Sequence, residues 1–297
     1  MSWASVIVIG SNSTRCVSAD PLDPQSASVR KRKETRLFLG MRQGLLSDAA
    51  IADTVAGIQA LIKEARGPML GIFATSAVRD AKNAAVLAQC IEAACGLPLT
   101  VLSGQEEAAA SFYGVSGDRP ALIVDIGGGS TELAMGSGTD IRSAISLQLG
   151  ASRLFACHPI HRAEDLPPAL AAAREALNAL PDELTRHEGI LDFYSIGGTG
   201  TASAMLALGT RDHSRCEGFS LSRDKLLGLL LAVAATPREK RAEIVGFPPS
   251  RIDILPTGMA ILTAVMDRLR LQQITVTQRC NADGLLRMAA DKQAVKK

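Results

Sequence analysis

The chain has 297 residues, a net charge of +2 and 47% hydrophobic residues. That length accommodates two domains with full cores or one large α/β unit. No apolar run reaches the roughly 18–20 residues of a membrane-spanning helix, and the near-neutral charge gives no general argument for nucleic acid. The start, MSWASVIVIGSNS, runs without a basic leader into an apparent core strand, so no signal peptide is expected. The cysteines at 16, 90, 95, 157, 216 and 280 show no CxxC pair or zinc-like spacing, and read as free thiols in a reducing cytoplasm.

β-branched runs alternate with longer amphipathic stretches, the pattern of an α/β chain. SVIVIG at 5–10 predicts a buried strand, followed to about residue 40 by further strands joined through a Pro-containing turn at PLDP. Ser47 is a natural N-cap for a helix over 47–65. Strands at 71–76 and 98–103 alternate with helices at 83–95 and 105–115, before a hinge-like break at SGDRP, 116–120. The pattern then restarts. Strands are expected at 121–126, 131–136 and near 140–147, then helices around 151–157 and 163–180. A strand at 191–198 enters a glycine turn and the helix TGTASAMLAL. Helices at 225–235 and 254–269 precede a strand at 273–277.

The restart also shows in individual residues. VIGSNSTR at 8–15 and DIGGGSTE at 125–132 share Ile, Gly, Ser and Thr, each closing an apolar strand and opening a tight turn. A bare backbone at such a turn lets several N–H groups face inward and cradle an anion, phosphate being the usual guest. Duplication of this unit predicts two similar lobes facing one another across a cleft, a preferred place for a ligand.

With both turns in hand, the sequence resembles the exopolyphosphatase / guanosine pentaphosphate phosphohydrolase (Ppx/GppA) family. IGSNSTR (9–15), ATSAVRDAKN (74–83), SGQEEA (103–108), DIGGGSTE, SLQLGASRL (146–154), IGGTGTASA (196–204) and ILPTGMAIL (254–262) resemble family segments and stand in family order. The resemblance implies duplicated ribonuclease H-like α/β domains of the actin/Hsp70/sugar-kinase superfamily, with a central interdomain cleft. Residues 1–118 would carry the first turn and the catalytic glutamate, and 119–281 the second turn. A last helix at about 282–293 would return to the first domain, as in the short members that lack extra C-terminal helical domains. Dimerisation, common in relatives, carries over only as an analogy.

The resemblance assigns the base that activates water to Glu107, against a plain reading of Glu106 and Glu107 as helix-start acids answering the dipole. Arg79 would grip phosphate. Of Asp125 and Glu132, one would hold Mg²⁺ or Mn²⁺ and the other orient water or metal, Glu132 thus counting among both the catalytic and the metal residues. Their plain alternative is a turn-capping aspartate and an edge-strand glutamate. Gly127, Gly128, Gly129 and Ser130 would donate to phosphate, as would Gly10, Ser11, Asn12 and Ser13 from the first turn. The amides of Gly198 and Thr199 at a helix start are further donors. RKRK at 30–33 reads as a solvated strand, with guidance of a polyanion as its alternative. Arginines 153, 162, 174, 211 and 215 show no alignment that selects a substrate.

The family pattern is broken at three places. Val8 stands where an aspartate is usual, Ala109 where an arginine is common, and NADG (281–284) replaces Leu-Arg-Glu-Gly. The expectation is a cytoplasmic hydrolase acting on polyphosphate or pppGpp. The alternative is a binder or sensor of polyphosphate or (p)ppGpp with the same fold, which Val8 favours. A sugar or acetate kinase of the same superfamily is disfavoured by the Arg79 and Glu107 segments.

Overall fold

Strand β1 (Ala4–Ile9) is buried along its whole length, as a β-branched run covered on both faces should be. It belongs to the first of two units in the computed structural model, which describes residues 3–23, 28–117 and 119–294. That unit comprises residues up to Gly114 together with Asn281 onward, and the second runs from Val115 to Cys280. Pro24, which ends the turn expected at 21–24, and Asp118 of the 116–120 break lie outside the described residues.

In the first unit β1 is followed by β2 (Thr14–Ala19), β3 (Val29–Lys33) and a small ribbon of β4 (Met41–Arg42) and β5 (Leu45–Leu46). Then come α1 (Asp48–Glu64), β6 (Met69–Ala74), α2 (Ser76–Arg79), α3 (Ala84–Cys95), β7 (Leu99–Val101) and α4 (Gly104–Val115). Ser47 caps α1 as its sequence predicts, its Oγ accepting from the Ala50 N–H at 3.2 Å. The sheet order is β3-β2-β1-β6-β7, with β1, β6 and β7 parallel and β2 and β3 antiparallel. Ile7 and Ile9 pack with Ile58, Leu61, Leu87 and Ile91 of α1 and α3. Val6 and Val8 alternate to the other face.

The second unit begins again with β8 (Ala121–Ile126), β9 (Thr131–Ser137) and β10 (Asp140–Leu147). It continues through α5 (Ala151–Cys157), α6 (Leu166–Ala176), α7 (Asp182–Arg186), β11 (Asp192–Ile196), α8 (Gly197–Leu208), β12 (Phe219–Ser222), α9 (Arg223–Ala235), α10 (Ile254–Arg268) and β13 (Gln273–Val276). The sheet order β10-β9-β8-β11-β13 repeats that of the first unit strand for strand, and β12 adds an antiparallel edge. β12 was not expected from the sequence, since FSLS is too short and too polar to signal a strand. The helix expected over 163–180 is split, with 3₁₀ turns at Ala163–Asp165 and Leu177–Ala179 on either side of α6.

Arg241, fully buried, is held without a carboxylate. Its guanidinium donates to the carbonyls of Val233, Thr236, Ile160 and His161. It ties the C-terminal end of α9 to the loop before α6, where a cation also suits the helix dipole.

The last helix, α11 (Asn281–Ala294), packs on β1, β2 and β6 of the first unit. It also crosses α4 very closely. A Cβ on Gly284 would overlap the Ala110 carbonyl oxygen and come within 2.9 Å of the Gly114 nitrogen. Arg287 donates to the Tyr113 carbonyl at 2.7 Å, and Asp283 takes a two-pronged bond from Arg30 at 2.5 and 2.8 Å. Gly284→Ala is therefore expected to destabilise the protein by about 1–3 kcal/mol, the range for overpacking. Denaturant unfolding would measure this, and unaltered stability would mean that α4 and α11 do not depend on this crossing.

Candidate active site

Both glycine-containing turns are hairpins of the same register. In the first, Val8 pairs with Arg15 and Ile9 with Thr14 across β1 and β2. In the second, Asp125 pairs with Glu132 and Ile126 with Thr131 across β8 and β9. Each turn is closed by the same bond, from the Gly10 N–H to the Ser13 carbonyl at 3.0 Å and from the Gly127 N–H to the Ser130 carbonyl at 3.0 Å. The eight-residue match seen in the sequence is thus a match of geometry.

The carbonyls of both turns are pinned from behind. In the first unit the Phe38 N–H donates to the Ser11 carbonyl and the Arg36 N–H to the Asn12 carbonyl, each at 2.9 Å. In the second unit the start of α5 does this work. The Ala151 N–H donates to Gly127 at 2.9 Å, and the N–H groups of Ser152 and Arg153 donate to Gly128 at 2.8 and 3.0 Å. The Arg153 Nε–H donates to the Gly129 carbonyl at 2.7 Å. A trans peptide carries its carbonyl and the following N–H on opposite sides. Pinning those carbonyls therefore turns the amides of Asn12 and Ser13, and of Gly128, Gly129 and Ser130, away from the pinning element. None of these amides donates to another backbone carbonyl among the described residues.

The close approach of α5 depends on Gly150, where a Cβ would overlap the Gly128 carbonyl. None of Gly127, Gly128 and Gly129 adopts a left-handed φ. Gly150 went unremarked in the sequence because its reason is a contact with a loop more than twenty residues earlier. The one local signal is its place just before a helix start.

Asp125 and Glu132 stand directly opposite one another in the ladder, so their side chains leave the sheet on one face. Glu132 is only 1% exposed, and its Oε1 accepts from the Ser146 hydroxyl at 2.6 Å. Asp125 packs against the start of α8. Gly197 there has φ +77°, and a Cβ on it would lie 2.5 Å from Asp125 Oδ1. Its neighbour Gly198 has the Arg251 guanidinium laid over its α-carbon. Arg251 is buried at this spot, and nothing in the loop sequence FPPSR announced it. The Thr199 hydroxyl reaches the Ile126 carbonyl at 3.4 Å, which leaves its amide as the group that could meet a ligand. Among the described residues no cluster of three metal-ligating side chains converges. Two neighbouring carboxylates do suit a hard divalent ion of the Mg²⁺ kind, which takes one or two of them and fills its remaining positions with water and phosphate oxygens.

In the first unit the structure brings Arg79 and Glu107 together. Arg79, at the end of α2, donates through Nη1 to Glu107 Oε2 at 3.1 Å and to the Leu102 carbonyl at 2.8 Å. Glu107, in the first turn of α4, is 5% exposed, whereas Glu106 is exposed and accepts from the Ser103 N–H as a cap. Arg79 Nη2 is buried with no hydrogen-bond partner among the described residues. The α2 segment is tied to the first turn: Thr75 donates to the Ile9 carbonyl through N–H and hydroxyl, and the Ser11 and Ser76 hydroxyls share a bond of 3.1 Å. The Asn12 side chain is held by Glu34 at 2.8 Å, so only its amide is presented. Val8 is buried between Arg15 and Phe73 in register, and the first hairpin has no carboxylate where the second has Asp125.

RKRK forms β3, and every one of its cations has an acidic partner. Arg30 meets Asp283, Lys31 and Lys33 share Glu64 at 3.2 Å each, and Arg32 meets Glu34 at 2.6 Å. Hydrogen bonds from the two lysines hold the Glu64 carboxyl below its ordinary range. This run is an edge strand whose four cations share three carboxylates, so most of its charge is already answered. Arg162 and Arg174 likewise go to surface ion pairs.

The sequence profile of the Ppx/GppA phosphatase family matches residues 26–293. Solved structures give the same picture of the fold. An exopolyphosphatase-like protein is 24% identical with a TM-score of 0.85, the match covering 98% of this chain and 99% of that one. An exopolyphosphatase from Cytophaga hutchinsonii is 22% identical with a TM-score of 0.84, covering 97% and 98%. A Ppx/GppA family member from Aquifex aeolicus is 22% identical with a TM-score of 0.79, covering 98% of each chain.

The packing around α8 yields a contrast between two glycines. Gly197→Ala must hold an alanine at left-handed φ against Asp125, and is expected to cost about 1–3 kcal/mol. Gly228 lies inside α9 with open space around it, so Gly228→Ala should stabilise by roughly 0.5–1 kcal/mol. Thermal unfolding of the two variants checks both signs, and equal effects would contradict the described geometry.

Proposed function

Because the chain belongs to the Ppx/GppA phosphatase family, we propose that it removes the terminal phosphate from inorganic polyphosphate or from the 5′ end of pppGpp. The observation that carries this reading is the pairing of half-buried Arg79 with buried Glu107. A binding turn alone needs no such carboxylate, whereas hydrolysis needs a base held where it can take a proton from water.

The water oxygen attacks the terminal phosphorus while Glu107 takes its proton. The bond from phosphorus to the bridging oxygen breaks, its electron pair stays on the shortened chain, and orthophosphate leaves. Arg79 orients the Glu107 carboxylate through Nη1, and its second nitrogen is available to a phosphoryl oxygen. The outward amides of Asn12 and Ser13 in the first unit, and those of Gly128, Gly129 and Ser130 in the second, are donors suited to phosphate oxygens. The helix-start amides of Gly198 and Thr199, beside Arg251, add to this. Asp125 and Glu132 would hold Mg²⁺ or Mn²⁺, which when bound supplies positive charge to the phosphate oxygens. No helix among the described residues is long and apolar enough to cross a membrane, and this reading takes the reaction to be cytoplasmic.

A second reading has one observation behind it. With Val8 buried in an apolar register, the first hairpin brings no carboxylate to a metal, and the chain would then bind polyphosphate or (p)ppGpp without turning it over. Phosphate release from long-chain polyphosphate and from pppGpp, with Mg²⁺ or Mn²⁺, separates the two. Glu107→Gln is expected to lower kcat by about 10²–10⁴-fold, the usual weight of a general base, with substrate binding retained. Turnover that survives this change would remove the mechanism. Wild-type binding without turnover, with activity gained by Val8→Asp, would establish the sensor instead.

A further inference from the structure

Three successive peptides of the DIGGGSTE turn are held by their carbonyls, but not by equivalent means. The Gly127 and Gly128 carbonyls are held by backbone N–H groups of α5. The Gly129 carbonyl has the Arg153 side chain. In the first hairpin the matching carbonyl, that of Asn12, is held by a backbone amide, that of Arg36. The second unit has therefore placed on one side chain what the first does with the main chain. It does so where two adjacent glycines offer the least resistance to reorientation of a peptide.

We propose that Arg153 is a positioning residue for phosphate binding: its guanidinium fixes the Gly129–Ser130 peptide so that the Ser130 amide is aimed at a substrate phosphate. This rests on the reading that the turn binds phosphate. Arg153 is well suited to the task, since its own N–H holds the preceding carbonyl, of Gly128, at 3.0 Å while its Nε–H holds that of Gly129 at 2.7 Å. Nε is a donor fixed in the guanidinium plane, and lysine has nothing at that place. The assignment separates Arg153 from Arg162 and Arg174, with which it stands undistinguished in the sequence.

The test uses the full chain carrying Glu107→Gln, so that inorganic tripolyphosphate binds without turnover, and adds Arg153→Met, Arg153→Lys or Arg153→Ala. Calorimetry should show affinity reduced about ten-fold in Arg153→Met, the weight of one well-placed hydrogen bond, with the melting temperature unchanged. In ¹H–¹⁵N spectra the tripolyphosphate-induced shift of the Ser130 amide should be lost in Arg153→Met and Arg153→Lys. That of Gly128, whose peptide is held by the Ala151 N–H, should persist. Ethylguanidinium should restore affinity to Arg153→Ala and leave the parent protein unaffected. Parent-like affinity in Arg153→Met, or equal loss of shift at Gly128 and Ser130, would overturn the proposal. If the parent shows no ligand-induced shift at Gly128, Gly129 or Ser130, the phosphate-binding reading of the turn fails instead.

Discussion

The planar trans peptide is the constraint on which the candidate site depends. A side chain can swing away from a ligand, but a peptide whose carbonyl is held cannot turn its N–H without breaking that bond. Both hairpins use this. The carbonyls of Ser11 and Asn12 are occupied by Phe38 and Arg36, and those of Gly127, Gly128 and Gly129 by the start of α5 and by Arg153. The direction of the amides is thus decided on the side of the turn where the pinning groups lie. Donors arranged in this way are oriented before an anion arrives and cost no rearrangement when charge develops.

The two hairpins share a backbone and differ in charge. Position for position, Val8 and Arg15 in the first stand where Asp125 and Glu132 stand in the second. One strand pair carries an apolar residue and a cation, the other two carboxylates on one face. Two carboxylates side by side repel, and such a pair is most at ease with a cation in front of it. On the proposed reading the second hairpin is accordingly the one that would hold a metal, the first offering its amides and hydroxyls. The duplication kept the hydrogen-bond frame, which the backbone dictates, and let the side chains diverge.

What the sequence made legible follows the range of the interactions involved. Strand periodicity, the Ser47 cap and the match between the two turns are local patterns, and the structure has them, with strand ends such as those of β6 and β7 shifted by up to two residues from 71–76 and 98–103. The partners are another matter. RKRK left two readings open because Glu64 lies thirty residues away and Asp283 arrives on the last helix. Arg251 over Gly198, and Gly150 against Gly128, have no local signature either, since each is a contact between segments far apart in the chain. Arg79 and Glu107 were singled out through a family resemblance, yet their mutual bond could not be read from a separation of 28 residues. Periodicity reports which face of an element is buried; it is silent on what meets that face.

The Arg79–Glu107 pair shows why such long-range contacts matter to chemistry. Burying a carboxylate is costly, and a buried ion pair is poor evidence for stability, because desolvation offsets most of the attraction. Replacement by apolar residues would serve the core at least as well. The pair is instead placed in the first turn of α4, and further along that helix the Gly284 crossing of α11 leaves no room for a Cβ. Arg79 is tied in turn to the first hairpin through α2 and the Ser11–Ser76 bond. On the proposed mechanism, a carboxylate so fixed would lose little freedom when a substrate binds, as suits a base that must meet a water molecule at a set distance. On the same mechanism, α11 would help to hold the helix that carries Glu107.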